Sequence, residues 1–199
     1  MSIFVTGAGK KPNLINYVEY IESTGTQYVK LGFTPNQDTR VVIDFQSNQA
    51  TGGYQIIGSR STGSSRTYTF GTAGGNNAWL SGYNNGGVNS GVTEDTKRHT
   101  ADKNKNLLYL DGELIASATY ASFTTHGEMW MFRFNAADGD DNAYAKMKVF
   151  SCQIYDNGTL VRDFRPCYDP DGIACLYDEV TGTYFYNAGT GEFIAGGAV

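Results

Sequence analysis

Short stretches in which apolar and polar residues alternate recur along most of this chain. Alternation with a period of two is typical of strands with one buried face, and the spacing of three and four that marks amphipathic helices is almost absent. The pattern predicts ten strands, at 17–22, 28–31, 40–46, 54–58, 68–70, 98–102, 107–110, 114–118, 129–134 and 145–155. Ten strands at this spacing predict an all-β domain built from two stacked antiparallel sheets.

One long segment changes the face that its apolar residues occupy. Met147 and Val149 have odd numbers, whereas Phe150, Cys152 and Ile154 have even numbers. Because successive side chains of a strand point to opposite faces, a regular strand cannot bury both sets on one side. We therefore predict a β-bulge near Val149.

Three segments predict tight hairpin turns, at 103–106, at Asp111-Gly112 and at 156–158. Asn, Asp and Gly adopt the positive φ angles that such turns require. Between 47 and 97 the chain is rich in Gly, Ser, Asn and Thr. We predict that this region forms long loops between short strands, where the recognition sites of rigid domains usually lie.

Composition fits one globular domain that has few charges. The 199 residues are 40% hydrophobic and 18% charged, with 25 Gly, 14 Tyr and 11 Phe. The net charge is −5, and we see no cluster of Lys and Arg, so we expect no nucleic-acid partner. We also find no secretory signal and no window of 18 apolar residues, so we expect a chain made in the cytoplasm without membrane insertion.

The chain has three cysteines, Cys152, Cys167 and Cys175, and this small, odd number does not fit a disulfide framework. We predict reduced thiols in the core. A bridge between Cys167 and Cys175 stays open as an alternative, because the two residues flank the turn at 169–172. Since the chain has neither a C-x-x-C motif nor a histidine near these cysteines, we do not expect a zinc site.

Two motifs near the ends of the chain carry a family resemblance. The opening motif, residues 20–32, is YIESTGTQYVKLG, and the closing motif, residues 160–193, is LVRDFRPCYDPDGIACLYDEVTGTYFYNAGTGEF. Together they resemble the concanavalin A-like (laminin-G-like) jelly-roll domains of bacterial surface proteins and bacteriophage virion proteins. The resemblance implies a β-sandwich over 17–199, preceded by a short docking arm at 1–16.

The same resemblance, taken with the incomplete catalytic pattern, the lack of a secretory signal and the extra N-terminal arm, favours a function in attachment. We expect a non-enzymatic recognition module of a bacteriophage virion, in its tail, baseplate or head decoration, that binds a host-surface glycan or another virion protein. The arm at 1–16 would dock on other virion proteins, and a homo-oligomer is left open. A carbohydrate-binding lectin of the bacterial cell surface is the first alternative, and a glycan hydrolase is the second.

Catalytic patterns are incomplete in this sequence. Jelly-roll glucanases place two Glu with an Asp between them at alternate strand positions. Here Asp44 has Val42 and Gln46 as its neighbours on the same face, so we predict no hydrolysis. His99 and His126 lack a G-x-S-x-G partner motif, and we predict that both lie at the surface or at a sheet edge.

Aromatic and amide residues in the predicted loops form our candidate ligand site, since sugar faces stack on aromatic rings and amides hydrogen-bond hydroxyl groups. The candidate ligand-binding residues are Trp79, Tyr83, Asn76, Asn77, Asn84 and Asn85. The alternative is that Trp79 belongs to the core and the Asn residues only form a turn. Trp130, in a strongly apolar strand, is predicted to be a core residue.

An acidic loop at 135–142 contains Asp138, Asp140 and Asp141. Clustered carboxylates can bind calcium, which takes six to eight oxygen ligands. The loop lacks the order of an EF-hand, and acidic Gly-containing turns are common between strands. We therefore predict a solvated turn and no cofactor, with calcium as the weaker alternative.

Overall fold

Two stacked β-sheets contain nearly all of the regular structure. The computed structural model describes residues 15–75, 77–137, 139 and 143–199. Within these ranges, the helical content is limited to one 3-10 turn at Thr62–Ser64. The predicted all-β sandwich of two sheets is confirmed, and its architecture is consistent with a jelly roll.

Eighteen strands follow one another along the described chain. In chain order they are β1 (Asn16–Tyr17), β2 (Ile21–Ser23), β3 (Val29–Lys30), β4 (Thr39–Ser47), β5 (Gln55–Arg60), β6 (Thr67–Ala73), β7 (Ala78–Asn84), β8 (Gly86–Thr93), β9 (Arg98–Asn104), β10 (Leu107–Leu110), β11 (Glu113–Ser117), β12 (Trp130–Met131), β13 (Asn135–Ala136), β14 (Met147–Asp156), β15 (Thr159–Tyr168), β16 (Ala174–Asp178), β17 (Thr183–Phe185) and β18 (Ile194–Ala195).

The larger sheet has eleven strands and the smaller sheet has seven. The larger sheet runs in the order β11-β10-β9-β4-β14-β15-β16-β17, with β1 beside β15, β2 beside β14 and β18 beside β2. The smaller sheet runs β3-β12-β5-β6-β7-β8. Its strand β13 pairs with β5 in parallel, and the other strand pairs are antiparallel. Of the predicted arm, residues 1–14 lie outside the described residues, and Asn16 begins β1.

The core lies between the two sheets and is rich in aromatic rings. Strand β4 alternates strictly, so that Val41, Ile43 and Phe45 are buried while the residues between them face outward. Phe45 packs edge-to-face on Phe70 and on Trp79, with ring centroids 5.6 Å apart in both pairs. Burial of these large side chains supplies the main driving force that holds the sheets together.

The predicted bulge in β14 is confirmed. The pairing of β14 with β4 changes register between Val149 and Ser151. Met147 and Val149 are buried before the shift, and Cys152 and Ile154 are buried after it. The extra residue therefore lets the strand bury apolar side chains on both sides of the bulge. Phe150, which was grouped with Cys152 and Ile154, is instead half-buried and lies under the Arg98 guanidinium.

The predicted hairpin turns are also confirmed. Lys105 has a φ of 56° between β9 and β10, and Asp111 and Gly112 have φ angles of 51° and 86° between β10 and β11. Asn157 and Gly158, with φ angles of 46° and 83°, join β14 to β15. At the second and third of these turns, both central residues have positive φ, which is the geometry of a type I′ hairpin turn.

The prediction of long loops between 47 and 97 is wrong for its second half. Strands β6, β7 and β8 form a continuous antiparallel meander there. Glycine in this meander serves close packing: a Cβ on Gly82 would lie 2.2 Å from the Oγ1 atom of Thr69 on the neighbouring strand. Its frequency was therefore a misleading signal for loops.

Trp130 was predicted to be a core residue, and that prediction is wrong. Its neighbours Met129 and Met131 are fully buried, so strand alternation turns the tryptophan to the outer face of the smaller sheet, where it is half-buried. The ring packs on Tyr28 with a centroid distance of 4.8 Å. Arg133 lies over it at 5.1 Å.

No helix in the described part of the chain is long and apolar enough to cross a membrane. All three cysteines are buried and have free thiols.

Candidate functional site

The two aromatic rings of the predicted ligand site lie in the core. Trp79 is 1% exposed and packs against Phe45, Phe70 and His99. Tyr83 is 3% exposed, and its hydroxyl donates to the carbonyl oxygen of Gln37 at 3.2 Å. The prediction that these rings stack on a ligand at the surface is wrong, because β7 turns both residues toward the facing sheet.

The amide residues of the same prediction lie at the two ends of β7. Asn77 and Asn84 are half-buried and have φ angles of 46° and 51°, so they form the turns on either side of the strand. Asn85 is exposed in the second turn. Asn76 lies outside the described residues. Among the described residues of this predicted site, no aromatic ring is exposed, so the amides have no stacking surface beside them.

The predicted calcium ligands Asp138, Asp140 and Asp141 lie outside the described residues. Within the ranges that are described, no group of three or more His, Cys, Asp or Glu side chains could hold a metal ion.

Asp44 is held in a bidentate ion pair on the outer face of the larger sheet. Arg98 donates to it from Nε at 2.8 Å and from Nη2 at 2.6 Å. The same guanidinium lies 3.7 Å from the centroid of the Phe150 ring. Asp44 lines a shallow trench with Glu19 and Asp163. Its carboxylate is thus engaged by a planar cation, which suits a structural role on the strand.

His99 is buried in β9, which lies between β10 and β4, so the prediction of a surface or edge position for it is wrong. Its Nδ1 atom lies 2.6 Å from Asp111, and its Nε2 atom lies 2.8 Å from Asp95. Burial alone lowers the pKa of this imidazole, but the hydrogen bonds and charges of the two carboxylates outweigh it and raise the pKa. His126 is exposed, as predicted.

Sequence reasoning missed a buried cation in the core. Lys103 is fully buried, and its Nζ atom donates to Ser81 Oγ at 2.7 Å. The ammonium also lies 4.7 Å from the ring centroid of Tyr68 and 5.8 Å from that of Tyr83. Burial lowers its pKa to about 7. The residues around Lys103 are nearly all polar, so the sequence does not show which face of β9 is buried.

The most promising site is a cleft built from the closing motif. Its volume is about 760 Å³. Three large side chains in its lining are exposed: Tyr168 by 37%, Tyr186 by 45% and Ile173 by 51%. The remaining lining residues are Asp171, Gly172, Ala174, Asn187, Gly189, Gly191, Glu192 and Phe193. Accessible tyrosine rings thus share one concave surface with carboxylate and amide groups.

One wall of the cleft is held by the opening motif. Gln27 is buried, and its Nε2 atom donates to the carbonyl oxygen of Glu192 at 3.0 Å. Its Oε1 atom accepts from the backbone N–H of Thr24 at 2.9 Å. A Cβ on Gly189 would lie 2.1 Å from the carbonyl oxygen of Thr26, so this close approach requires glycine. The two motifs of the family resemblance therefore meet at this wall.

The opposite wall is the hairpin between β15 and β16. At its turn, Asp169 accepts hydrogen bonds from the backbone N–H groups of Asp171 at 3.0 Å and Ile173 at 2.8 Å. These backbone donors, chiefly that of Ile173, hold the pKa of the Asp169 carboxyl below its usual value. The Tyr186 hydroxyl donates to the same carboxylate at 3.0 Å. Burial and this hydrogen bond raise the pKa of Tyr186 to about 12, so its ring is fixed and its hydroxyl stays protonated.

A row of tyrosines continues from the cleft across the outer face of the larger sheet. The ring centroid of Tyr186 lies 6.3 Å from that of Tyr184, which lies 5.1 Å from that of Tyr177. Both of these further rings are half-buried. The aromatic surface is thus longer than the cleft itself.

The charge of the cleft favours neutral or cationic ligands. Asp171 and Glu192 are exposed acidic residues in its lining, and the residues that line it include neither Lys nor Arg. The arrangement provides stacking surfaces and hydrogen-bond acceptors, which can bind and orient a polar ring.

Comparison of the chain with protein-family models, with curated proteins and with solved structures found no match. The family resemblance therefore rests on the two motifs and on the sandwich in which they meet.

The sequence contained a usable signal for this cleft. Tyr168 directly precedes the turn at 169–172, and Tyr186 follows the short strand β17. Both tyrosines therefore border a Gly-containing turn of the closing motif, and this position was the signal that the sequence offered for the cleft.

Proposed function

We propose that this protein is a non-enzymatic recognition module of the concanavalin A-like type that binds a glycan in the cleft of the closing motif. The observation that carries the proposal is the exposure of Tyr168 and Tyr186 in one concave surface. Exposed aromatic rings beside carboxylates are the common means of binding sugars, because the C–H face of a sugar stacks while its hydroxyls donate hydrogen bonds.

The cleft walls support binding without a large rearrangement. Gln27 and Asn187 tie down the loop at 187–192, since Asn187 Nδ2 donates to the carbonyl oxygen of Gly191 at 2.8 Å. Asp169 holds the opposite turn and the ring of Tyr186. A preformed site loses little conformational entropy when a ligand binds.

The ligand that we propose is an uncharged or amino-containing saccharide. Asp171 and Glu192 would repel uronic acids and other acidic sugars, whereas they can accept hydrogen bonds from hydroxyl or ammonium groups. The tyrosine row from Tyr186 to Tyr177 supports a ligand of more than one sugar unit.

The setting that we propose follows from the family resemblance. The sandwich would be an attachment component of a bacteriophage virion, in its tail, baseplate or head decoration, that faces the glycans of the host surface. Residues 1–16 would join it to other virion proteins.

An array of neutral, amino-containing and acidic bacterial surface glycans tests the proposal. We expect retention of neutral or amino-containing glycans and no retention of acidic ones. Incubation of the retained glycans with the protein should release no reducing ends. Release that is abolished by Asp44→Asn would support the hydrolase alternative, and an array without any retained glycan would contradict the proposal.

A further inference from the structure

Two of the three buried thiols face each other within the hairpin wall of the cleft. Cys167 in β15 is directly paired with Cys175 in β16. Their sulfur atoms are 3.7 Å apart, and both residues are fully buried. The hairpin that they span carries Tyr168 and Ile173, two of the exposed side chains of the cleft. Cys152 belongs to β14 and faces the core.

We propose that Cys167 and Cys175 form a reversible disulfide that staples this wall of the cleft. Directly opposed cysteines of antiparallel strands with sulfur atoms this close need only a small movement to reach bonding distance. The role of the staple in regulating the cleft rests on the proposed function, whereas formation of the bond does not.

A small-molecule disulfide is the oxidant that the reaction requires. The Cys167 thiolate attacks one sulfur of that disulfide, breaks its S–S bond and releases one small thiolate. The Cys175 thiolate then attacks the sulfur of Cys167 in the mixed disulfide and releases the second small thiolate. The two protons lost by the cysteines are taken up by the released thiolates. Two cysteine thiols and one small disulfide thus give one protein disulfide and two small thiols.

The hydrogen bond between the two thiols favours this order of attack. Donation by the Cys175 thiol lowers the pKa of Cys167, and the same bond, followed by burial, raises the pKa of Cys175. Cys167 is therefore the first to ionise. Because both sulfurs are buried, the oxidant reaches them only when the hairpin opens at its turn, so the reaction rate follows local opening.

Closure of the bond would restrict both the unfolded chain and the cleft. The disulfide encloses residues 167–175 in a ring, which lowers the entropy of the unfolded chain and raises the unfolding midpoint. In the folded protein it prevents the hairpin from opening, so backbone amides at 168–174 should exchange more slowly with solvent.

Oxidised glutathione is a suitable probe. The folded protein is incubated with oxidised glutathione and then alkylated in urea, and the intact mass of the protein is measured by mass spectrometry. We expect only one of the three thiols to be alkylated, and the protein before alkylation to be lighter than the reduced protein by two hydrogens. The midpoint of urea unfolding should be higher, and dithiothreitol should reverse this change. Cys152→Ser should show the same shift, and Cys167→Ser and Cys175→Ser should show none. Alanine at these two positions provides the same controls if either serine variant fails to fold.

Three alkylated thiols after incubation, or a persistent glutathione adduct at Cys167 or Cys175 without ring closure, would overturn the proposal. The glycan array separates this result from the proposed function. If the bond forms but no glycan is retained, the staple stands and the function falls. If a glycan is retained but the bond does not form, only the staple is rejected.

Discussion

Gln27 donates a hydrogen bond to the carbonyl oxygen of Glu192 at 3.0 Å, although 165 positions separate the two residues in the chain. The bond joins the opening motif to the closing motif at the wall of the cleft. Because Gln27 is buried and its Oε1 atom also accepts from Thr24, one side chain orders both segments. This contact connects the family-like motifs to the candidate site.

Gln27→Ala should therefore lower the free energy of unfolding by about 1–3 kcal/mol, because the partly buried backbone groups of Thr24 and Glu192 lose their partners. Urea unfolding measures the change. Gln46→Ala is a matched control, since its amide also donates to a backbone carbonyl, that of Thr96, but at an exposed position where water can replace it. An equal effect of the two substitutions would show that Gln27 has no special structural role.

The two tryptophans offer a second test. Trp79→Ala should cost about 3–5 kcal/mol of stability, as expected for removal of a large ring from the core. Trp130→Ala should cost less, roughly 1–2 kcal/mol, because its ring is half-buried on an outer face. Urea unfolding of both variants gives the order. A larger loss for Trp130→Ala would contradict the assignment of Trp79 to the core and of Trp130 to the outer face of the smaller sheet.

Lys103 predicts an unusual dependence of stability on pH. Its pKa is about 7 in the folded state and near 10.5 when the side chain is exposed, so the unfolded chain binds more protons between these values. Stability should therefore rise from about pH 7 to pH 9.5, with a slope approaching about 1.4 kcal/mol per pH unit. Above this window, buried tyrosines such as Tyr68, whose pKa is raised by burial, oppose the trend.

Lys103→Met isolates this contribution, because the substitution keeps a long side chain and removes the titrating amine. The unfolding free energy of the variant minus that of the wild type should therefore decrease as the pH rises through the window, because only the wild type gains stability there. The carboxylate-bound His99 is present in both proteins, so its contribution cancels in the difference. A difference that is constant from pH 7 to pH 9.5 would show that Lys103 titrates normally.

The strand pattern predicted much of the fold, because alternation directly reflects which face is buried. It revealed the bulge at Val149 and the turn at Asn157, where local chemistry determines the backbone. It failed for β7 and β8, where Gly82 packs under the threonine side chains of β6 and Gly87 lies against the side chain of Leu80. Such packing depends on the neighbouring strands, and the sequence alone does not identify which residues become neighbours.

The candidate site was harder to predict for a related reason. Trp79 and Tyr83 looked accessible because amides and glycines surround them in sequence, yet their strand turns them inward. Tyr168 and Tyr186 come together only through the pairing of β15, β16 and β17. The cleft is thus a product of tertiary structure, although both of its exposed tyrosine rings lie within one motif.

Glycan binding by the cleft is the central claim, and titration calorimetry with the best-retained saccharide of the array tests it most directly. Tyr186→Ala should weaken binding by on the order of 1 kcal/mol, about fivefold in the dissociation constant, because a stacking ring is lost. Tyr120→Ala is the matched control, since Tyr120 is 52% exposed and lies beside Asp38, away from the cleft. Unchanged affinity for Tyr120→Ala with weaker binding for Tyr186→Ala is the predicted result, and wild-type affinity for Tyr186→Ala would contradict the account.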